Sequence, residues 1–213
     1  MSAAKQVATA LLAAVLAAGC GGGTHSVLVP PRLDLQPYGR VGLFTFTAEN
    51  AKGSLNELAT ERFSEAMLKG QSRIEVLELG TEDSLLQRVG ETEFGVAAAQ
   101  AAGKEHRLPA VFVGHLTVSN VKPSGGLLGL TTPFVQATVS VELSVRLLST
   151  ESGGTLWRSS AQESEKVGGL AIVNGEPHFA AKDPNDAYGH LVDQLVYRVT
   201  RDLRPTWERV RNP

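Results

Sequence analysis

The sequence predicts an α/β domain: a mixed, largely antiparallel sheet of about five strands, with helices packed mainly on one face. Three observations predict it. In residues 134–148, Val135, Ala137, Val139, Val141, Leu143, Val145 and Leu147 share one parity, while Gln136, Thr138, Ser140, Glu142, Ser144 and Arg146 share the other. A strand turns alternate side chains to opposite faces, so this segment has one apolar and one wet face, as an antiparallel sheet covered on one side requires. Two stripes recur at helical spacing: Leu55, Leu58, Ala59, Phe63, Ala66 and Met67, then Tyr188, Leu191, Val192, Leu195, Val196, Val199 and Leu203. Residues 110–114 are a continuous apolar run, the mark of a strand buried on both faces.

The remaining elements follow in chain order. Residues 39–47 read as an opening strand with two partly apolar faces. Ser54 and Glu57 form a capping-box pattern before the first helix, and Gly70 is placed to end it. Residues 73–79 alternate as a short strand, and 82–89 suit a short helix. Residues 96–106 are alanine-rich and helical by propensity, and Pro109 breaks the run. The strand from Ala110 should pair antiparallel with 134–148 across the loop 122–133. The sequence Glu151-Ser152-Gly153-Gly154 is a hairpin turn, returning as a strand over 155–166. Residues 167–182 carry no period. Asp183 and Pro184 start the last helix, and Pro205 ends it.

The chain start has a different character. Lys5 precedes an apolar run from Val7 to Ala18, the n-region and h-region of a secretory signal, and the run is too short for a membrane span. It ends in Leu16-Ala17-Ala18-Gly19-Cys20, and Cys20 is the only cysteine. This junction resembles a bacterial lipobox, departing from the usual pattern in that Ala17 stands where Leu is commoner. The resemblance implies removal of residues 1–19 and acylation of Cys20, palmitate being the typical chain, so that the protein is held at a membrane. Each buried methylene adds about 0.8 kcal/mol, so several chains hold firmly where one does not. No Asp follows Cys20, which by the same resemblance favours the outer membrane. The expected organisation is a signal peptide over 1–19, a Gly- and Pro-rich tether over 20–38, one domain over 39–204, and a tail over 205–213.

The formal charge of −2 becomes −3 once Lys5 leaves with the signal, and acids and bases are interspersed. Nucleic-acid binding depends on clustered Lys and Arg, which are missing. A lone cysteine excludes an internal disulfide. His25, His106, His115, His178 and His190 form no i, i+4 ligand pair, and no Gly-x-Ser-x-Gly elbow occurs, so no metal, cofactor or catalytic residue is assigned. His115 is expected to be a satisfied histidine within a buried strand.

Three stretches resemble one family. They are Val41-Gly42-Leu43-Phe44-Thr45-Phe46, the run from Leu108 to Leu116, and the run from Val145 to Trp157 with its acidic Gly-containing turn. Together they are similar to the envelope lipoprotein group that includes the curli secretion-channel lipoprotein, the activator of a penicillin-binding peptidoglycan synthase, and the amino-terminal domain of the Tol-Pal translocation protein. The resemblance implies a scaffold for docking and assembly rather than an enzyme. The function expected is that of an outer-membrane-anchored periplasmic lipoprotein acting through protein–protein contacts with an envelope partner. The alternatives are an oligomeric secretion-channel subunit, that is a homo-oligomer with membrane-inserted β-hairpins, or else an envelope enzyme. Candidate contact residues are Leu127, Leu128 and Leu130 in a loop too apolar for its context, and Gln136, Thr138, Glu142 and Arg146 on the wet strand face. The apolar loop has a second reading, a segment folded back on the core.

Overall fold

The computed structural model describes residues 24–51, 54–119, 122–126, 134–173, 176–181 and 184–211. They fall into two compact units: a body over 31–204, and a small unit combining the chain before Pro31 with the chain from Pro205 onward.

In the body, strand β2 (Arg40–Leu43) and strand β3 (Thr47–Glu49) precede helix α1 (Leu55–Gly70) and strand β4 (Glu75–Glu78). Helices α2 (Asp83–Val89) and α3 (Val96–His106) follow, then strands β5 (Ala110–Val118), β6 (Lys122–Gly126), β7 (Phe134–Ser149), β8 (Thr155–Val173) and β9 (Glu176–Ala181). Helix α4 (Pro184–Val199) closes the order. One eight-stranded sheet runs β4-β2-β5-β7-β8-β9, with β3 also on β5 and β6 also on β7. The pairs β2–β4, β2–β5 and β3–β5 are parallel, and the rest of this sheet is antiparallel.

The alternation in β7 decides which face is covered. Val139, Val141, Leu143, Val145 and Leu147 are buried in one core with Phe63 and Met67 of α1 and Leu191, Leu195 and Val199 of α4. In β5, Ala110 and Phe112 join this core, while Val111 and Val113 turn to the opposite face. There α2 and α3 build a smaller core from Leu85, Leu86, Ala98, Ala99 and Ala102, with Phe44 and Phe94 at 5.0 Å between ring centroids. The long helices therefore cover one face, and the short pair covers only part of the other. Burying each large apolar side chain stabilises by about 1.5–3 kcal/mol.

Polar groups lock these layers. Gln71, just past α1, donates from Nε2 to the carbonyls of Leu33 (2.9 Å) and Leu203 (2.8 Å), and its Oε1 accepts from the Leu35 N–H (2.9 Å). One buried amide thus joins three chain segments distant in sequence. Arg198 of α4 pairs with Glu163 of β8, whose side chain is 13% exposed. Close approaches fix the spacing. A Cβ at Gly70 would lie 2.5 Å from the Leu203 carbonyl oxygen, and one at Gly114 would lie 2.4 Å from the Phe46 ring.

Several elements differ from the sequence reading. The opening strand is two short strands, because the chain leaves β2 after Leu43 and meets β5 again only at Thr47. Ser54 precedes α1 but its side chain makes no capping hydrogen bond; Thr60 instead reaches across to the Phe46 N–H at 2.8 Å. Residues without a period include the end of β8 and all of β9, which pair as a ribbon. In the small unit, strand β1 (Thr24–Val29) pairs antiparallel with strand β10 (Thr206–Arg211), two stretches the sequence reading placed in the tether and the tail.

Replacing Gln71 with Leu leaves three backbone groups, on the segment 33–35 and at Leu203, without this partner. The expected loss is about 2–4 kcal/mol, read as a fall in the urea midpoint of about 1–2 M. Gly114→Ala should cost about 1–3 kcal/mol by driving Phe46 off its site, and Phe46→Leu in the same chain should recover part of that loss in the same titration.

Candidate functional site: a polar cleft on the open sheet face

The even-numbered side chains of β7 stand on the face that α2 and α3 cover only in part. Leu148 lies under the helices, and Arg146 is where the cover ends. A cleft of about 640 Å³ opens there. Its floor is β5 at Val113–His115, with Ser144 and Arg146 of β7 and Arg158 of β8; Glu82, Asp83 and Leu86 at the start of α2 and the segment 92–94 form its wall.

Strand register sets the floor chemistry. Arg146 stands directly opposite Arg158, Ser144 opposite Ser160, and Glu142 opposite Gln162. Like charges directly opposite each other across a strand pair destabilise the sheet, so the two arginines work against the fold. Arg146 is half-buried and donates to the Phe94 carbonyl at 3.3 Å. Among the described residues, neither arginine has a carboxylate within salt-bridge distance. Guanidinium groups remain charged at any physiological pH and present forked donors suited to carboxylate or phosphate.

The wall has the opposite sign. Glu82 sits partly buried between Asp83 and the floor. Burial, first, and the neighbouring Asp83 charge, second, hold its carboxyl above the ordinary value of 4.5, and Arg146 offsets part of that rise. At the other side, Thr47 Oγ1 lies 2.8 Å from His115 Nδ1, and His115 Nε2 is 3.9 Å from Glu49. The cleft therefore offers fixed positive charge on its floor and carboxylates on one wall. Among the described residues, no group of three or more His, Cys, Asp or Glu is placed to hold a metal ion.

The predicted site residues fall in different places. Arg146 lines the cleft. Thr138, half-buried, and Glu142, exposed, continue the same face along β7. Gln136 lies further along β7, opposite Ser124 and Gly169. Leu127, Leu128, Leu130 and Cys20 lie outside the described residues. His115 is in the strand and has a partner, as expected, in Thr47 Oγ1 at 2.8 Å, but its burial is corrected: the side chain is 50% exposed at the cleft floor, because the helical cover stops short of it. Arg158, Glu82 and Thr47 carried no signal in the sequence reading. Arg158 was hidden by a register shift between Leu147 and Leu148, which a straight count back from the turn cannot see.

Comparison with known proteins gives a weak answer. No family model matches the chain, and no curated protein matches its sequence. Solved structures resemble it at low identity. One is the PelC dodecamer from Paraburkholderia phytofirmans, 11% identical, with a TM-score of 0.45, covering 85% of this chain and 98% of that one. Another is lipoprotein GNA1162 from Neisseria meningitidis, 19% identical, TM-score 0.37, covering 60% of this chain and 83% of the other. A third is the LpoB C-terminal domain from Salmonella enterica, 15% identical, TM-score 0.36, covering 63% and 84%. Each of these three likenesses lies below 20% identity and below a TM-score of 0.5, and no family is shown for the chain.

The Glu82 shift makes a pH prediction. A carboxyl whose folded pKa is raised penalises the folded state once ionised. That penalty is full above the folded pKa and absent below the unfolded value of 4.5. Glu82→Gln should therefore raise the urea midpoint at pH 7, with the gain shrinking to nothing as the pH falls through the carboxylate range.

Proposed function

We propose that this chain is a lipid-anchored envelope lipoprotein that works without catalysis, by docking an acidic protein surface on the open face of its sheet. The supporting observation is the Arg146–Arg158 pair: two arginines at directly opposed register positions on neighbouring strands, both lining the cleft where the helical cover stops. A carboxylate presented by a partner relieves that repulsion and forms charge-assisted hydrogen bonds, which gives docking a direct energetic reason. The polar run Ser144, Ser160, Glu142 and Gln162 extends the same surface and supplies donors and acceptors around the arginines. Cys20, through its acyl chains, holds the domain at the periplasmic side of the outer membrane.

Two measurements test this reading. The mature chain isolated from membranes should have the mass of residues 20–213 plus acyl chains, and Cys20→Ser should move it to the soluble fraction; an unmodified thiol refutes the anchor. A photo-crosslinking residue at Ser160 should capture a defined partner in cells, one at exposed Glu61 on α1 should not, and Arg158→Glu should abolish the Ser160 adduct while the fold survives. The same adducts from both positions, or an adduct indifferent to Arg158→Glu, refute the docking surface.

A further inference from the structure

The small unit is a two-stranded ribbon with almost every described side chain exposed. Trp207 is 70% exposed, Leu28 50%, Val210 44% and Val27 39%. A lone pair of strands is marginal in water, and an exposed tryptophan beside a leucine is a contact surface without its contact. Register sorts the ribbon into two faces. Leu28 stands opposite Trp207, and Ser26 opposite Arg209, on one face; Val27 stands opposite Glu208 on the other. One face thus joins an aromatic, an aliphatic and a cationic side chain, and the acid is on the reverse.

Covalent distance says what that face can meet. Only Gly21, Gly22 and Gly23 separate Cys20 from Thr24, the first residue of β1. Four residues reach at most about 14 Å, so the strand starts within that distance of whatever Cys20 is fixed to. Tryptophan prefers the bilayer interface, where its ring is half in the hydrocarbon boundary and its N–H is wet, and arginine there meets lipid phosphate.

We infer that the β1–β10 ribbon is a membrane-surface element: its Leu28–Trp207–Arg209 face lies in the headgroup region of an anionic bilayer. The inference rests on the reading of Cys20 as the lipid-bearing residue. It converts the residues after the anchor from a free leash into a second, weaker membrane contact, with the C-terminal strand brought to the bilayer by pairing with β1.

Because Cys20 is the only cysteine, the full mature-length chain can be coupled through its thiol to a maleimide lipid in phosphatidylethanolamine–phosphatidylglycerol vesicles. This imposes the anchor whether or not the cell acylates it. The readout is quenching of tryptophan emission by phospholipids brominated near the headgroup end of the acyl chain. The chain has two tryptophans, and Trp157 is half-buried against Phe112 in the body. The expected result is loss of the Trp207 share of the emission in the native sequence, with little quenching in Trp207→Ala. Equal quenching of the two chains overturns the proposal and leaves the anchor reading standing. Concentration-dependent protection of Trp207 from aqueous iodide without vesicles also overturns it, because a second copy then covers the face. An unmodified Cys20 in cells removes the anchor reading alone, and the quenching result keeps its meaning.

Discussion

The structure depends on the period-two alternation of β7. Its odd side chains from Val139 to Leu147 are in the main core, and the even Ser144 and Arg146 are on the floor of the open face. A slip of one residue would exchange the two sets, sending Arg146 and Glu142 under α1 and α4 and five large aliphatics into water. Burial of that stripe therefore holds the register of the strand that also carries the candidate site. The Arg198–Glu163 pair adds a polar constraint on the same packing, since Glu163 lies opposite Val141 and turns toward α4. A partly buried carboxylate accepts few alternative positions for its cation, so the pair restricts how α4 sits on β8.

The cleft exists because the second helical layer is small. Helices α2 and α3 present mostly alanine and leucine to the sheet, and Ala98, Ala99 and Ala102 let α3 approach closely. Gly103 permits that approach at Thr150, whose hydroxyl donates to the Leu108 carbonyl. This layer ends at Phe94, and Phe94 serves two ends: its ring packs on Phe44, and its carbonyl takes the Arg146 hydrogen bond. The boundary between covered and open sheet is thus set by the same residue that positions the half-buried arginine.

Much of the fold was legible because it rests on long apolar periods. The α1 stripe, the α4 stripe and the β7 alternation were strong patterns, each spanning several turns or many strand residues. What failed was short or positional. Strands β3 and β6 have three and five residues, too few to show a period, and β6 contains a proline and two glycines. The ends β1 and β10 carry too few apolar residues to set a period, and most of their described side chains are exposed. The site suffered from a different limit. Arg146 was found by parity within its own strand, whereas Arg158 required the cross-strand register, and the irregularity at Leu147–Leu148 shifts that register by one. A regular count from the turn would set Trp157 beside Arg146, yet Trp157 lies opposite Leu147 with its ring 6.1 Å from Phe112. Only the burial of His115 was misjudged, because β5 opens as a strand buried on both faces and that state ends at Gly114.

The chemistry of the cleft points to recognition. Arginine stays protonated through any reaction at neutral pH, so it holds anions well and transfers protons poorly. The other polar groups of the cleft are arranged for other ends. Glu82 is an acid raised by its own burial and by Asp83, and His115 shares one ring nitrogen with Thr47. Two cations at opposed positions on neighbouring strands are a feature that an approaching carboxylate would relieve. The carboxylates of the wall leave both arginines without a salt-bridge partner among the described residues, so a carboxylate brought by a partner still has guanidinium donors to meet, and this favours a docking face.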